Sequence, residues 1–419
     1  MIGKIKMTIK EELDNKEFWD ETFNKMILKQ GFSKEDKNEL WVIKEIQKDT
    51  IIEELMSGKY IWSIPRKAEI AKHDSNKKRI VYIYSLKDRY VQGVLYRAIS
   101  SFYANSISDN CFSYRKTVNT SHAIQYIKDN RTEELKYGVK TDIHAYFNSV
   151  NKRKVISMIN ELFKGGLGIT FEKLMLDERV MWKGEEITEW KSLIPGSPLG
   201  SFFANWCLRE LDAELINKGK TYARYSDDII ILEDSEEKLK EDLDIILVYL
   251  EEYGLTLNEK KYQWFKPGES VDFLGLKLND NGVIDISDHS KQKIKKQIHR
   301  WCRKGRMEIE IEHKDFYNVA HRIIKQLNNK NFKCFINNDT TFGWCAYAFP
   351  RITTEETLRE IDLYTKERLA ALKTGKNNKA NYKKLTEEEL HKLGWVSLVQ
   401  LYHLFKQDFD YYCEVIELL

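Results

Sequence analysis

At 419 residues, 42% of them hydrophobic, the chain is long enough to bury a large core and to divide into two or three subdomains. Lysine and arginine number 68 against 65 acids, a net charge of +3, so only the distribution of charge speaks to partners. Cys111, Cys207, Cys302, Cys334, Cys345 and Cys413 form no CxxC pair, which argues against a zinc or disulfide framework and for a reducing cytoplasm. No signal-peptide core follows Met1 and no run of 18 apolar residues occurs, so no membrane association is expected.

The first 61 residues read as a helical extension built from Glu11-Glu12-Leu13, Phe18-Trp19 and the stretch from Ile43 to Leu55. From Trp62 to Tyr84 strand pairs are expected around an Asp74-Ser75-Asn76 turn. Helical spacing returns from Asp88 to Phe102, where Val91, Leu95 and Ala98 share a face, and again from Ser121 to Ile127. A strand pattern from Tyr137 to Ile143 precedes a helix near Lys152 to Phe163. The run Gly165-Gly166-Leu167-Gly168 lacks a following Lys-Ser/Thr and is read as a plain connector, not a phosphate loop.

The turn Ile194-Pro195-Gly196-Ser197-Pro198 introduces one long apolar helix from Gly200 to Leu215. Beyond a hairpin at Tyr222 to Leu232, a helix is expected from Ser235 to Tyr253, then strands around Tyr262 to Phe265 and Val271 to Leu278. The remainder is helical and lysine-rich, interrupted by a polar loop from Thr374 to Lys379. The expected domains are residues 1–61, 62–285 and 286–419, with no internal repeat.

The hairpin carries the chemistry. Asp227 and Asp228 lie between two runs of apolar and β-forming residues, so a tight turn would present two carboxylates on rigid strands. Adjacent acids in a turn are common turn chemistry and define nothing alone. Asp142, at the end of its strand pattern, supplies a third acid. An acid at one strand end plus an acid pair in a hairpin suits two Mg²⁺ held roughly 4 Å apart for nucleotidyl transfer.

Two basic blocks point to phosphate. Residues Arg66 to Arg89 hold eight Lys/Arg against three acids, and Lys291 to Arg306 hold eight with no acid. Interleaved Tyr82, Tyr84, His299 and Trp301 suit a phosphate backbone with stacked bases, although a solvated lysine face has the same composition. Trp62, Trp264 and Trp301 are candidate stacking platforms, with ordinary packing as the alternative.

Other segments fall in a recognisable order. They are Ile70-Ala71-Lys72-His73-Asp74 through Lys78-Arg79, Asp88-Arg89-Tyr90-Val91-Gln92, and Phe112-Ser113-Tyr114-Arg115. Asp142 follows, with Phe147 five residues on, then Ser201-Phe202-Phe203-Ala204-Asn205 and Tyr225-Ser226-Asp227-Asp228. Last come Gly254-Leu255-Thr256-Leu257-Asn258 with Lys260-Lys261, and Phe273-Leu274-Gly275. Over residues 62 to 280 this series resembles a reverse transcriptase, and is most similar to the bacterial branch of group II intron, retron and diversity-generating enzymes.

The resemblance implies an α+β, right-hand polymerase fold, with fingers and palm followed by an α-helical thumb. It implies that Asp142, Asp227, Asp228 and the Ile143 carbonyl bind two Mg²⁺, with Mn²⁺ as a substitute. Lys72 and Arg79 would clamp an incoming triphosphate, and Phe147 would crowd a ribose 2′-OH and so select dNTPs. Lys261, preferred over Lys260 on spacing, would meet departing pyrophosphate. Arg115 would touch nucleotide or template. Lys291, Lys295, Arg300 and Arg303 would grip an RNA template or its duplex with the DNA product.

One departure stands out. The family usually places a polar triplet such as Pro-Gln-Gly before the palm helix, whereas here Gly196 stands at the glutamine and Ser197 at the glycine. The expected result is one nucleotide contact fewer, with backbone N–H groups of the Gly-Ser turn left to meet phosphate.

The sequence shows no Cys/His nuclease module, and residues 286–419 look helical, not like a ribonuclease H domain. A compact chain of this kind resembles the defence-associated reverse transcriptases of bacteria, especially the small class 2 type, which implies anti-phage activity and an adjacent non-coding RNA as template. A retron enzyme, an abortive-infection-type polymerase making untemplated protein-primed DNA, and a silent RNA-binding protein remain alternatives. Template identity, primer, trigger and oligomeric state are left open.

Overall fold

The computed structural model describes residues 8–28, 31–71, 78–331, 343–376 and 383–418. Lys72, the Asp74-Ser75-Asn76 turn and residues 377–379 of the polar loop lie outside them. Two compact units divide the chain, Met1–Trp264 and Phe265–Leu419.

The first unit contains β1 (Arg66–Ala71), β2 (Lys78–Ile83), β3 (Tyr137–Asp142), β4 (Arg179–Trp182), β5 (Glu185–Thr188), β6 (Thr221–Tyr225) and β7 (Asp228–Glu233), and closes within β8 (Gln263–Phe265). One sheet runs β6-β7-β3-β8, with β7 antiparallel to both β6 and β3. Ile229, Ile230, Ile231 and Leu232 are all buried. A central strand covered on both faces has no polar face to show, which is why it reads as an unbroken apolar run.

A second sheet, β2-β1-β4-β5, pairs β1 antiparallel to β2 and parallel to β4. The β4–β5 hairpin was not expected from the sequence. Its signal is the Lys183-Gly184 turn, where both residues have positive φ (53° and 94°), the combination a two-residue hairpin loop needs.

The helices Ile9–Asp14, Lys16–Ile27, Lys34–Glu45 and Lys48–Ser57 share the core of this unit. Trp19 meets Tyr90 edge-on at 5.6 Å, and the Tyr90 hydroxyl donates to the Trp19 carbonyl at 2.8 Å. Tyr90 belongs to the helix Leu86–Phe102, so the N-terminal helices and this helix fold as one packed body. Trp62 is packed as well: it is buried, and its indole N–H donates to the Thr170 carbonyl at 3.0 Å, so it is no stacking platform.

Two helical expectations are corrected. The glycine run is not a plain connector, because the helix Gly166–Leu176 begins inside it. A Cβ on Gly166 would lie 2.2 Å from the Met56 carbonyl oxygen, and one on Gly168 equally close to that of Phe163, so backbone contact fixes glycine at both positions. The single helix expected from Gly200 to Leu215 is two, Pro198–Cys207 and Arg209–Asn217, broken at Leu208. At the break the Cys207 carbonyl accepts from the Tyr249 hydroxyl at 2.8 Å, which satisfies one of the acceptors a helix end leaves open.

In the second unit, β9 (Val271–Phe273), β10 (Leu276–Leu278) and β11 (Ile284–Ile286) form an antiparallel meander. The 25-residue helix Asp288–Glu312 packs against Phe316–Asn331 and Glu356–Thr374. Gly305 allows the close approach, since a Cβ there would lie 2.7 Å from Val319 Cγ1. Phe349, Phe405 and Tyr412 pack edge-to-face. Among the described residues no helix is long and apolar enough to cross a membrane.

Candidate active site

Asp142 is the last residue of β3, and in the sheet register it pairs with Asp228, the first residue of β7. Tyr225 closes the other side of the hairpin opposite Asp228, leaving Ser226 and Asp227 as a two-residue loop. The Ile143 amide donates to the Asp227 carbonyl at 3.0 Å, and the Asn258 amide donates to the Asp142 carbonyl at 2.8 Å. Strand end, hairpin turn and the Thr256–Asn258 segment therefore converge, bringing together Asp142, Ile143, Asp227, Asp228 and Lys261.

The carboxylates are crowded. Asp142 is buried, and its Oδ1 atom is buried without a hydrogen-bond partner. Burial raises the Asp227 carboxyl above its ordinary range, and the negative charges of Asp228 and Asp142 push the same way. Two lysines offset the charge. Lys261 Nζ lies 2.6 Å from Asp142 Oδ2, and Lys140 Nζ lies 2.7 Å from Asp228 Oδ1. Lys140 is two residues before Asp142 on the same strand face and diagonal to Asp228 across the ladder, a geometry that alternation in β3 already offered.

Among the described residues no three His, Cys, Asp or Glu side chains are gathered around a common metal position. Asp142 and Asp228 face lysines instead. The donor set nevertheless fits a hard divalent cation: it holds an unpartnered buried carboxylate oxygen, a second acid destabilised by burial and by like charge, and ammonium groups standing where positive charge is wanted.

The residues expected on the nucleotide side are linked to neighbouring segments by backbone bonds. The Leu193 amide donates to the Phe147 carbonyl at 2.9 Å, and the Tyr82 amide in β2 donates to the Pro195 carbonyl at 2.9 Å. Phe147 is half-buried beside Tyr146, whose hydroxyl donates to the Ala204 carbonyl. Gly196 has φ 99°, and a Cβ there would lie 3.3 Å from the Tyr82 carbonyl oxygen. An L side chain at 196 would be strained whatever its polarity.

Ser197 caps the helix Pro198–Cys207, accepting from the Leu199 amide and donating to Gln92 Oε1 at 2.7 Å. Its own amide donates to the Ile194 carbonyl. Arg79 is exposed on β2, opposite Ile70, and no contact ties it to the acids. Arg115 holds its own loop, donating to the carbonyls of Ser108 (2.8 Å) and Cys111 (3.2 Å).

In the second unit, Gln292, Lys295, Lys296, His299, Arg300 and Arg303 follow helical spacing along Asp288–Glu312 and, with Tyr364, line a cavity of about 320 Å³. Lys291 and Lys295 both pair with Glu360, and Lys291 is not part of the lining. Sequence reading singled out His299 within the basic block but not Gln292, Lys296 or Tyr364, the last because it comes from another helix.

Three acids at a strand end and an adjoining hairpin turn, on an antiparallel sheet flanked by helices, define the palm of a template-directed nucleotidyl-transferring polymerase. Residues 70–278 match the family described as reverse transcriptase (RNA-dependent DNA polymerase), and the chain belongs to that family. It is 25% identical over 262 residues to the retron Ec73 reverse transcriptase of Escherichia coli, covering 55% of this chain and 74% of that one. It is 26% identical over 197 residues to the retron Ec86 reverse transcriptase of the same organism, covering 45% and 57%. A match of 37% over 71 residues to the enzymatic polyprotein of soybean chlorotic mottle virus spans 17% of this chain and only 10% of that protein. The structure is also similar to apo telomerase from Candida tropicalis, with a TM-score of 0.43, 15% identity, and coverage of 53% and 55%.

Proposed function

We propose that this chain copies an RNA template into DNA from dNTPs, at a site formed by Asp142, Asp227 and Asp228. The observation that carries the reading is the register pairing of Asp142 with Asp228, which puts Asp227 in the turn directly beside both. Asp142 and Asp227, with the Ile143 carbonyl, would hold two divalent ions, Mg²⁺ or its substitute Mn²⁺, and Asp228 adds charge next to them. Such ions, when bound, supply a lowered pKa at a primer 3′-hydroxyl and charge to offset a triphosphate.

The chain's own groups do the rest. Lys72 and Arg79 hold phosphates in line, so that positioning accounts for much of the rate. Phe147 occupies the space a ribose 2′-OH would need. Lys261 Nζ, once off Asp142 Oδ2, serves as proton donor to a pyrophosphate oxygen. The basic groove along Asp288–Glu312 takes the nucleic-acid backbone, with Tyr364 as a stacking face.

The proposed template is a dedicated structured non-coding RNA, and the proposed setting is anti-phage defence in the bacterial cytoplasm. The similarity to two retron reverse transcriptases favours a second reading, in which the RNA is a retron-type transcript copied in part. The test is to purify wild type and Asp227→Ala from cells and sequence all co-purifying RNA and DNA. One enriched RNA, with complementary DNA only in the wild type, supports the polymerase reading and names the template. DNA without complementary RNA points to untemplated synthesis. RNA without DNA from either form, before and after phage challenge, leaves an RNA-binding protein and ends the polymerase reading.

A further inference from the structure

Ser226 has φ 62°, while Asp227, its partner in the two-residue loop, does not have positive φ. Hairpin loops with positive φ at the first position alone ordinarily use glycine there, and a serine held in that region is strained. Something must hold it, and the structure contains a closed polar ring that does. The Ser226 amide donates to Ser113 Oγ at 2.8 Å. The Ser226 carbonyl accepts from Arg224 Nη1 at 3.2 Å. The same nitrogen donates to Asn205 Oδ1, also at 3.2 Å. Asn205 closes the ring by accepting from Ser113 Oγ at 3.0 Å and donating to the Ser113 carbonyl at 2.7 Å.

Asp212 sets the orientation of Arg224. It accepts from Nε at 2.9 Å and from Nη2 at 2.5 Å, a fork-to-fork pair that fixes the guanidinium plane. Ser113, Asn205, Asp212, Arg224 and Ser226 are all buried, none exposing more than 5% of its surface. Tyr114, itself at φ 53°, brings its hydroxyl to 3.3 Å from Ser226 Oγ. A buried ion pair of this kind is weak evidence for stability, since apolar residues of similar volume in place of both partners often fold as well.

We propose that the Asp212–Arg224 pair, with Ser113 and Asn205, consists of positioning residues that lock Ser226 in its left-handed conformation and so fix where Asp227 points. The proposal rests on the reading of Asp227 as a metal ligand. The ring acts on the residue immediately before Asp227, whose carbonyl is in turn bonded to the Ile143 amide. Loosening the ring moves one acid relative to Asp142 without touching either.

The experiment compares wild type, Ser113→Ala, Arg224→Lys and Asp227→Ala, without nucleotide. Hydrogen exchange is measured over residues 225–232, and Mn²⁺ affinity is read from the ion's paramagnetic resonance. Exchange at the Ser226 turn is expected to quicken about tenfold in Ser113→Ala while Ile229 to Leu232 stay protected, and Mn²⁺ is expected to bind about tenfold more weakly. Adding Ser226→Gly, which reaches positive φ without strain, is expected to restore most of that affinity.

Wild-type exchange and Mn²⁺ affinity in Ser113→Ala overturn the proposal, as does a loss that Ser226→Gly leaves unrepaired. Should Arg224→Lys fail to fold, Ser113→Ala carries the test, because it removes only one hydroxyl. Asp227→Ala separates the two readings. If it binds Mn²⁺ like the wild type, the metal assignment itself fails; if it alone loses Mn²⁺, the clamp fails and the assignment stands.

Discussion

Lys261 Nζ lies 2.6 Å from Asp142 Oδ2, so the lysine expected to meet pyrophosphate neutralises the first acid of the palm. Lys261 is more than half exposed and Asp142 is buried, so the lysine moves more easily than the acid. A cation arriving at Asp142 competes with it for the same carboxylate. Lys261→Met is therefore expected to bind Mn²⁺ more tightly in the absence of nucleotide, yet to turn over about 10²-fold more slowly for want of a proton donor. Paired metal titration and single-turnover extension check this. Weaker metal binding in the variant would show that the lysine does not compete for the site.

Asp227→Ala removes a carboxyl that burial and two neighbouring acids already destabilise. Activity is expected to fall by roughly 10³-fold or more, while the melting temperature stays level or rises because one repelling charge has gone. Asp228→Asn leaves Lys140 without its ion pair and is expected to cost less activity but more stability. Thermal melts beside primer extension distinguish the pair, and a melt lowered mainly in Asp227→Ala would contradict the crowding argument.

The acids were legible because their signals are local: a short turn between apolar runs, and a strand ending in aspartate. The clamp beneath them was not. Ser113, Asn205, Asp212 and Arg224 are separated by up to 111 positions and meet only after the sheet and the palm helices pack. The same applies to Gly166 and Gly168, whose need for glycine comes from backbone atoms of other segments, so the run looked like a connector. Gly196 was singled out from the sequence as a departure, whereas its positive φ against Tyr82 is a property of the folded turn. The basic stripe on Asp288–Glu312 was readable as composition, and only the partner helix supplied Tyr364.

Phe147 is half-buried, its ring lies 5.9 Å from that of Tyr146, and its carbonyl accepts from the Leu193 amide, so the backbone that carries the ring is fixed. Phe147→Ala is expected to raise the ratio of rNTP to dNTP incorporation about tenfold or more, with little change in dNTP turnover. Competition between the two nucleotides on one template reads the ratio directly. An unchanged ratio would remove Phe147 from the sugar pocket.

Arg300 and Arg303 line the groove of the second unit. Replacing both by alanine is expected to weaken RNA binding across sequences and to lower the slope of log K against log salt by about two, one for each lost phosphate contact. Binding isotherms from 50 to 200 mM salt measure it. A wild-type slope would place the RNA elsewhere.

Lys191 precedes the Gly196 turn with 2% of its surface exposed, and its ammonium donates to the Arg179 carbonyl at 3.1 Å. Burial pulls its pKa down to about 8 from 10.5, against the charges of Asp177, Glu178 and Glu189. Between those two values the unfolded chain binds a proton that the folded chain lacks, so this group makes stability rise with pH across that window. Below pH 8 both states are charged and the burial penalty is fully present. Lys191→Met is accordingly expected to be more stable than the wild type at pH 7, on the order of 1–2 kcal/mol, with the advantage shrinking as pH approaches 10. Urea unfolding at pH 7, 8.5 and 9.5 measures the gap. A constant difference across the series would mean that the lysine stays protonated, paired with the acids around it.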